Sequence, residues 1–300
     1  MDIIKRRLPV IAIGIPSVLM ILNKGGLLFF ISLTVVALLC LFEFYNLAKS
    51  KGVIPNQAVG YINIIGISYL YFNILDSTLF EFLLLTFLSI IFIIFFESFN
   101  DSKEPLINIS VTFLGILYIG ILFSSMIALR EYDSFNGTNF TLTMLVSVWV
   151  CDSFAYMFGK LFGKRKLIER LSPKKTVFGF ISGIFGAFIS ISTLNYFNII
   201  SYNLSLLPII VFSVIVGVFG QWGDIAESMF KRDAEIKDSG KILLGHGGFL
   251  DRCDSLIFTS PLVHIVFTKS NYINNKLKGN NGFYTKRTWN KRLQFRSLFW

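Results

Sequence analysis

Charge is scarce in this chain. Asp, Glu, Lys and Arg make up 15% of its 300 residues, against roughly 25% in soluble domains, too few to cover a water-facing surface. Histidine occurs twice and cysteine three times. Cys40, Cys151 and Cys253 are odd in number and lack metal-type pair spacing, so they support neither a disulfide framework nor a zinc site. No internal repeat is visible, and no polar segment is long enough to form a separate soluble domain. These shortages exclude soluble, disordered and fibrous classes and leave an integral membrane protein. Apolar residues fill the gap: 54% of the chain is hydrophobic, 33 residues are Phe, and the mean hydropathy is +0.65. Such a composition suits helices whose outer faces meet lipid.

The formal net charge of +10 is local. Residues 270–300 carry seven basic side chains and no acid. Basic flanks are routine beside membrane spans, so no nucleic-acid partner is expected. Residues 1–269 read as one polytopic membrane domain, and residues 270–300 as a basic tail, disordered or non-native.

A spanning helix needs about 20 mostly apolar residues. Charge-free runs occupy Gly25–Phe42, Gly52–Leu75, Phe82–Phe96, Pro105–Leu129, Ser134–Cys151, Thr176–Gly223 and Ser255–Thr268. The Thr176–Gly223 run is interrupted by polar residues 198–205 and reads as two spans. Leu8–Leu22 adds a short span that resembles a signal peptide but is followed by Asn23-Lys24-Gly25-Gly26 rather than a small-residue cleavage site. The expectation is an all-α integral membrane protein, a polytopic helical bundle with about nine transmembrane helices. Lys5, Arg6 and Arg7 place the N-terminus in the cytoplasm, and alternation from there puts the basic loop from Lys160 to Lys175 on the same side. The last run is short enough to span or to re-enter, which leaves the side of the tail open.

Ionisable residues inside spans are costly and point to function. Asp152 and Asp224 lie at the cytoplasmic ends of their segments, on the side that also carries the polar stretch from Glu227 to Asp254. Helical spacing stacks Asp224, Glu227, Ser228 and Lys231 on one face, and Asp251 and Asp254 form a second acidic pair at i, i+3. Hard oxygen ligands of this kind suit Mg²⁺ rather than zinc or copper. Gly245-His246-Gly247-Gly248 marks an irregular turn whose backbone N–H groups can cradle phosphate. Ser172-Pro173-Lys174-Lys175-Thr176 brings cations to the same side. Each feature alone has an ordinary structural reading: a solvated acidic turn, a tight loop, a pair of membrane anchors. Together they match the apparatus of phosphoryl-group chemistry.

Ser228 to Arg232, Lys237-Asp238-Ser239-Gly240 and Gly245 to Ser255 closely resemble the signature of phosphatidate cytidylyltransferases, also called CDP-diacylglycerol synthases. Asp152-Ser153-Phe154-Ala155-Tyr156 through Lys164, Ser172 to Thr176, and Gly223-Asp224 with Ala226-Glu227-Ser228 agree with it. The motifs cover about residues 150–260. Leu244 stands where that family has Pro, and Phe178 where it has Glu before Gly. The resemblance implies that CTP and phosphatidic acid give CDP-diacylglycerol and pyrophosphate, with Mg²⁺ as cofactor and room for a second cation. It implies catalytic roles for Asp224, Asp251, Lys231 and Arg232, and metal ligation by Asp224 and Asp251, supported by Asp254 and Glu227. Implied substrate contacts are Asp152, Ser172, Lys174, Lys175, Thr176, Lys237, Asp238, Gly245, His246, Gly247, Gly248 and Arg252. A homodimer among membrane lipids is also implied, in a bacterial inner membrane with its site facing the cytoplasm. The alternatives are a CTP-dependent transferase or kinase acting on another lipid acceptor, and a cation transporter using Asp152, Asp224 and Asp251.

Overall fold

A computed structural model describes residues 2–74, 77–133, 136–199, 204–240 and 247–277. Among these residues the chain is all-helical, with one isolated antiparallel bridge, Lys166 to Thr176. Its helices are α1 (Asp2–Lys24), α2 (Gly26–Lys49), α3 (Gln57–Phe72), α4 (Leu79–Ser98), α5 (Pro105–Glu131), α6 (Asn136–Phe162), α7 (Val177–Tyr196), α8 (Leu206–Asp233) and α9 (Leu250–Leu277). Six of them, α2 and α4 to α8, are long and apolar enough to cross a membrane. The expected count of about nine is therefore not reached by that measure. Helix α1 carries Lys5, Arg6 and Arg7 in its first turns, α3 has 16 residues, and α9 opens with Asp251, Arg252 and Asp254. Helix α9 also continues past the expected boundary at residue 270 to Leu277. Residues 278–300 of the tail lie outside the described residues.

Local signals set the helix starts. Thr78 and Glu81 form a reciprocal capping box at α4. Asn56 caps α3 through Val59 N at 3.1 Å, and Thr176 caps α7 through Gly179 N at 3.1 Å. Two helices carry π-helical stretches, Ile116–Phe123 in α5 and Ile215–Gly220 in α8. Such a widened turn re-aims the side chains that follow it, and in α8 those are Gln221 and Asp224.

Helix α2 is the centre of the core, with Ala37, Cys40, Leu41 and Tyr45 fully buried. Tyr45 sits in the space left by Gly60 on α3 and Gly115 on α5, where a Cβ would collide with its ring, and its hydroxyl donates to Thr112 O at 2.8 Å. In contrast, α4 buries little besides Ser89, Ile93 and Glu97 and presents the rest of its apolar surface outward, as a lipid-facing helix must. Helices α6 and α7 meet at small residues, a Cβ on Gly159 lying 3.2 Å from Gly179 Cα. Close backbone approach of this kind is how helices associate where water supplies no driving force. On the other side of α8, a Cβ on Gly223 would run into the Asp254 carbonyl of α9. That near-contact brings Asp224 and Asp254 together.

Candidate active site

A cavity of about 700 Å³ opens where these helices end. Helix α6 contributes Asp152, Tyr156 and Lys160, the following loop contributes Lys166, Lys174 and Lys175, and α7 begins in its wall with Thr176 and Gly179. Gln221 and Asp224 enter from α8, and Asp251, Arg252 and Asp254 from α9. Acids and bases share one space, with no cysteine among the described residues that line it.

The basic loop is held rather than free. Leu167 N donates to Lys175 O and Val177 N to Arg165 O, both at 3.0 Å, and Arg232 Nε donates to Leu171 O at 3.3 Å. Arg232 thus touches the loop backbone and is not among the cavity-lining residues. Ser172 closes a turn through Lys175 N to Ser172 O at 3.2 Å and also lies outside the lining. Gly163 and Gly179 leave space that the Thr176 side chain uses, so Thr176 serves both as helix cap and as cavity wall. Lys175 Nζ lies 2.7 Å from Asp224 Oδ2.

Asp224, Glu227 and Asp254 converge, with one carboxylate oxygen from each within 4.8 Å of the others. Glu227 is fully buried, and its Oε1 has no hydrogen-bond partner. Three carboxylates at this range repel one another unless a cation intervenes. The all-oxygen donor set and the unpartnered buried oxygen fit a hard divalent ion.

Asp251 stands apart from that trio. Its Oδ1 pairs with Lys231 Nζ at 2.6 Å, and Lys231 also pairs with Glu227 Oε2 at 2.5 Å. Its Oδ2 accepts from Ser239 N and Ser239 Oγ, each at 3.1 Å, and from Gly248 N at 2.8 Å. Gly247 adopts φ +79° beneath it, a conformation that glycine allows freely, and a Cβ there would lie 2.5 Å from Asp251 Oδ2. Lys237 and Asp238 are exposed on the segment leading to Ser239 and do not line the cavity. Gly245, His246 and Leu244 lie outside the described residues. Phe178 is exposed on the first turn of α7 and packs edge-on against Phe162.

One carboxylate was missed by the sequence reading. Glu43 on α2 accepts from Ser239 Oγ and Leu250 N at 2.9 Å and from Phe249 N at 3.0 Å. In the sequence it merely ends a charge-free run. The signal was there all the same, since an acid six residues before the end of an apolar helix at Lys49 seldom faces solvent without reason.

Comparison with known proteins covers most of the chain. Residues 5–269 match the model of the Cytidylyltransferase family. A protein of Staphylococcus aureus named phosphatidate cytidylyltransferase is 34% identical over 253 residues, 83% of this chain and 94% of that protein. A protein of the same name from Staphylococcus saprophyticus is 33% identical over 249 residues, 82% of this chain and 92% of its own. One from Staphylococcus haemolyticus is 37% identical over 167 residues, 56% of this chain and 62% of its own. The similarity therefore extends well beyond the motifs of residues 150–260 into the N-terminal helices. With the match spanning α1 to α9, the chain belongs to the cytidylyltransferase family.

Proposed function

We propose that the chain transfers the cytidylyl group of CTP to phosphatidic acid, giving CDP-diacylglycerol and pyrophosphate. The observation that carries this reading is the cavity in which Asp224 and Asp254 face Lys166, Lys174, Lys175 and Arg252, in a chain whose relatives bear that activity in their names. A phosphate oxygen of the lipid attacks the α-phosphorus of CTP, and the bond to the β-phosphate bridging oxygen breaks. A phosphomonoester has its second pKa near 6, so the attacking group is largely dianionic at neutral pH and needs no strong general base. The barrier is mainly repulsion between anions and the departure of pyrophosphate. The cavity's lysines and Arg252 answer both by holding the triphosphate and the lipid phosphate in a fixed, positively charged frame.

Asp224, Glu227 and Asp254 would hold Mg²⁺, while Asp251, already engaged by Lys231, Ser239 and Gly248, would orient the site rather than ligate the ion. The bound ion would neutralise charge on the phosphates. Lys231 holds Glu227 and Asp251 in place, and Arg232 holds the basic loop. Lys237, Asp238, Gly245 and His246 complete the proposed substrate contacts on the segment that flanks the cavity.

In the same reading α1, α3 and α9 are also embedded in the bilayer, which makes about nine membrane helices and sets the cavity at the cytoplasmic surface of a bacterial inner membrane. Acyl chains then stay in the bilayer while the phosphate head meets CTP from water. The working unit in this reading is a homodimer. A cation transporter is disfavoured by the five basic side chains among the lining residues, which repel a permeating cation.

The test uses purified protein in mixed detergent–lipid micelles with phosphatidic acid and CTP, assayed with and without Mg²⁺. Formation of CDP-diacylglycerol that requires Mg²⁺ and is lost in Asp224→Asn supports the reading. A folded wild-type protein that makes none refutes it.

A further inference from the structure

The motif residues all lie from α6 onward, yet one carboxylate of the N-terminal half reaches them. Glu43 is 1% exposed, and its three donors are Ser239 Oγ, Phe249 N and Leu250 N. Two of these are backbone amides at the start of α9, where the helix N-terminus favours an anion. Ser239 Oγ lies 2.9 Å from Glu43 Oε2 and 3.1 Å from Asp251 Oδ2. Its single proton can serve either carboxylate. Gly240 and Gly248 are pressed against the same group, since a Cβ on either would collide with the Glu43 carboxylate. None of Glu43's donors lines the cavity.

We propose that Glu43 is a positioning residue of the transfer reaction, pinning the segment on both sides of residues 241–246 to α2 and so fixing the orientation of Asp251. The proposal rests on the reading of the site given above. Asp251 is the next residue after Leu250, and its remaining anchors, Ser239 N and Gly248 N, belong to the segment that Glu43 holds. Removing the carboxylate leaves the Phe249 and Leu250 amides without an acceptor and Ser239 Oγ with Asp251 alone, a costly state that the segment relieves by shifting. Asp251 then loses its register with Lys231, and Lys231 its hold on Glu227. The influence of α2 on the chemistry passes along this chain of contacts. Groups that orient a site residue from one shell out are worth about 10–100-fold in activity.

The experiment compares wild type, Glu43→Gln, Glu43→Asp, Ser239→Ala and the Glu43→Gln/Ser239→Ala double variant, purified as full chains. Two readouts are taken: kcat and KM for CTP per folded molecule, and hydrogen exchange of the amides around 247–253. Expected are a fall in kcat of about 10–100-fold in Glu43→Gln and Ser239→Ala, little change in KM, and partial recovery in Glu43→Asp. The double variant should fall no further than the worse single one, because both act on one carboxylate. Exchange should rise at Gly248, Phe249 and Leu250 while α7 keeps its protection. A kcat within twofold of wild type per folded molecule overturns the proposal, as does loss of protection throughout the fold, which would mark a merely structural role. If wild type transfers nothing, the reaction reading fails and the positioning role with it; with an active wild type, unchanged exchange at 248–250 in Glu43→Gln overturns the positioning claim alone.

Discussion

Two sets of charges meet where α8 and α9 begin their approach, and they are satisfied to different degrees. In the inner set, Asp251 has Lys231, Ser239 and Gly248 as partners, and Glu43 has three donors of its own. In the outer set, Asp224, Asp254 and Asp152 face the cavity, where Lys175 is the ion-pair partner of Asp224. Glu227 belongs to both, giving Oε2 to Lys231 and leaving Oε1 unpartnered beside the outer acids. A carboxylate saturated by the protein holds geometry. One left under-satisfied keeps its binding capacity for a ligand, and in the proposed reading a cation and substrate would complete the crowded acids.

The contrast predicts opposite signatures for the two sets. Asp224→Asn and Asp254→Asn should lower transfer by about 100–1,000-fold while leaving thermal stability unchanged or slightly higher, because each removes a like charge from a crowded group. Initial rates and detergent melting curves on the same preparations check this. Lys231→Met should damage both properties. It strips the counter-charge from Glu227 and Asp251, and breaking a buried pair in this way costs about 3 kcal/mol, read as a lowered melting temperature together with lost activity. Gly179→Ala should act mainly on packing, although Gly179 also stands in the cavity wall. Its Cβ would lie 2.7 Å from the Ala155 carbonyl and 3.1 Å from Gly159 Cα, and backbone neighbours yield poorly, so about 1–3 kcal/mol of stability should be lost. Smallest of all is Lys51→Ala. The Lys51–Asp233 pair at 3.1 Å is solvent-exposed, worth under about 1 kcal/mol, and both rate and melting temperature should stay close to wild type.

How legible this was from sequence depended on the range of the signal. Helical spacing alone placed Glu227 and Lys231 on one face, and they pair in the structure. The basic loop and the Gly223-Asp224 step were likewise readable, although not the reason for Gly223, which is the Asp254 carbonyl of a helix that follows much later in sequence. Two aspects were out of reach. The π-helical turns in α5 and α8 leave no mark in hydropathy, because a widened turn changes the rotation of the helix and not its composition. Glu43 looked like punctuation at the end of an apolar run, because its partners are all far along the chain. Counting spans by charge-free length gave about nine, whereas six helices among the described residues are long and apolar enough to cross a membrane, α3 having only 16 residues. The roles expected of Gly245 and His246 fall on residues outside those described.

The central claim is that the cavity transfers a cytidylyl group rather than a terminal phosphoryl group. Its most direct test runs two parallel reactions with phosphatidic acid, one with CTP labelled at the α-phosphate and one with CTP labelled at the γ-phosphate. The account predicts α-label in the lipid product and γ-label in released pyrophosphate. Label from the γ-position in the lipid would make the protein a kinase and contradict the account, as would the absence of label from either in a folded, Mg²⁺-supplied sample.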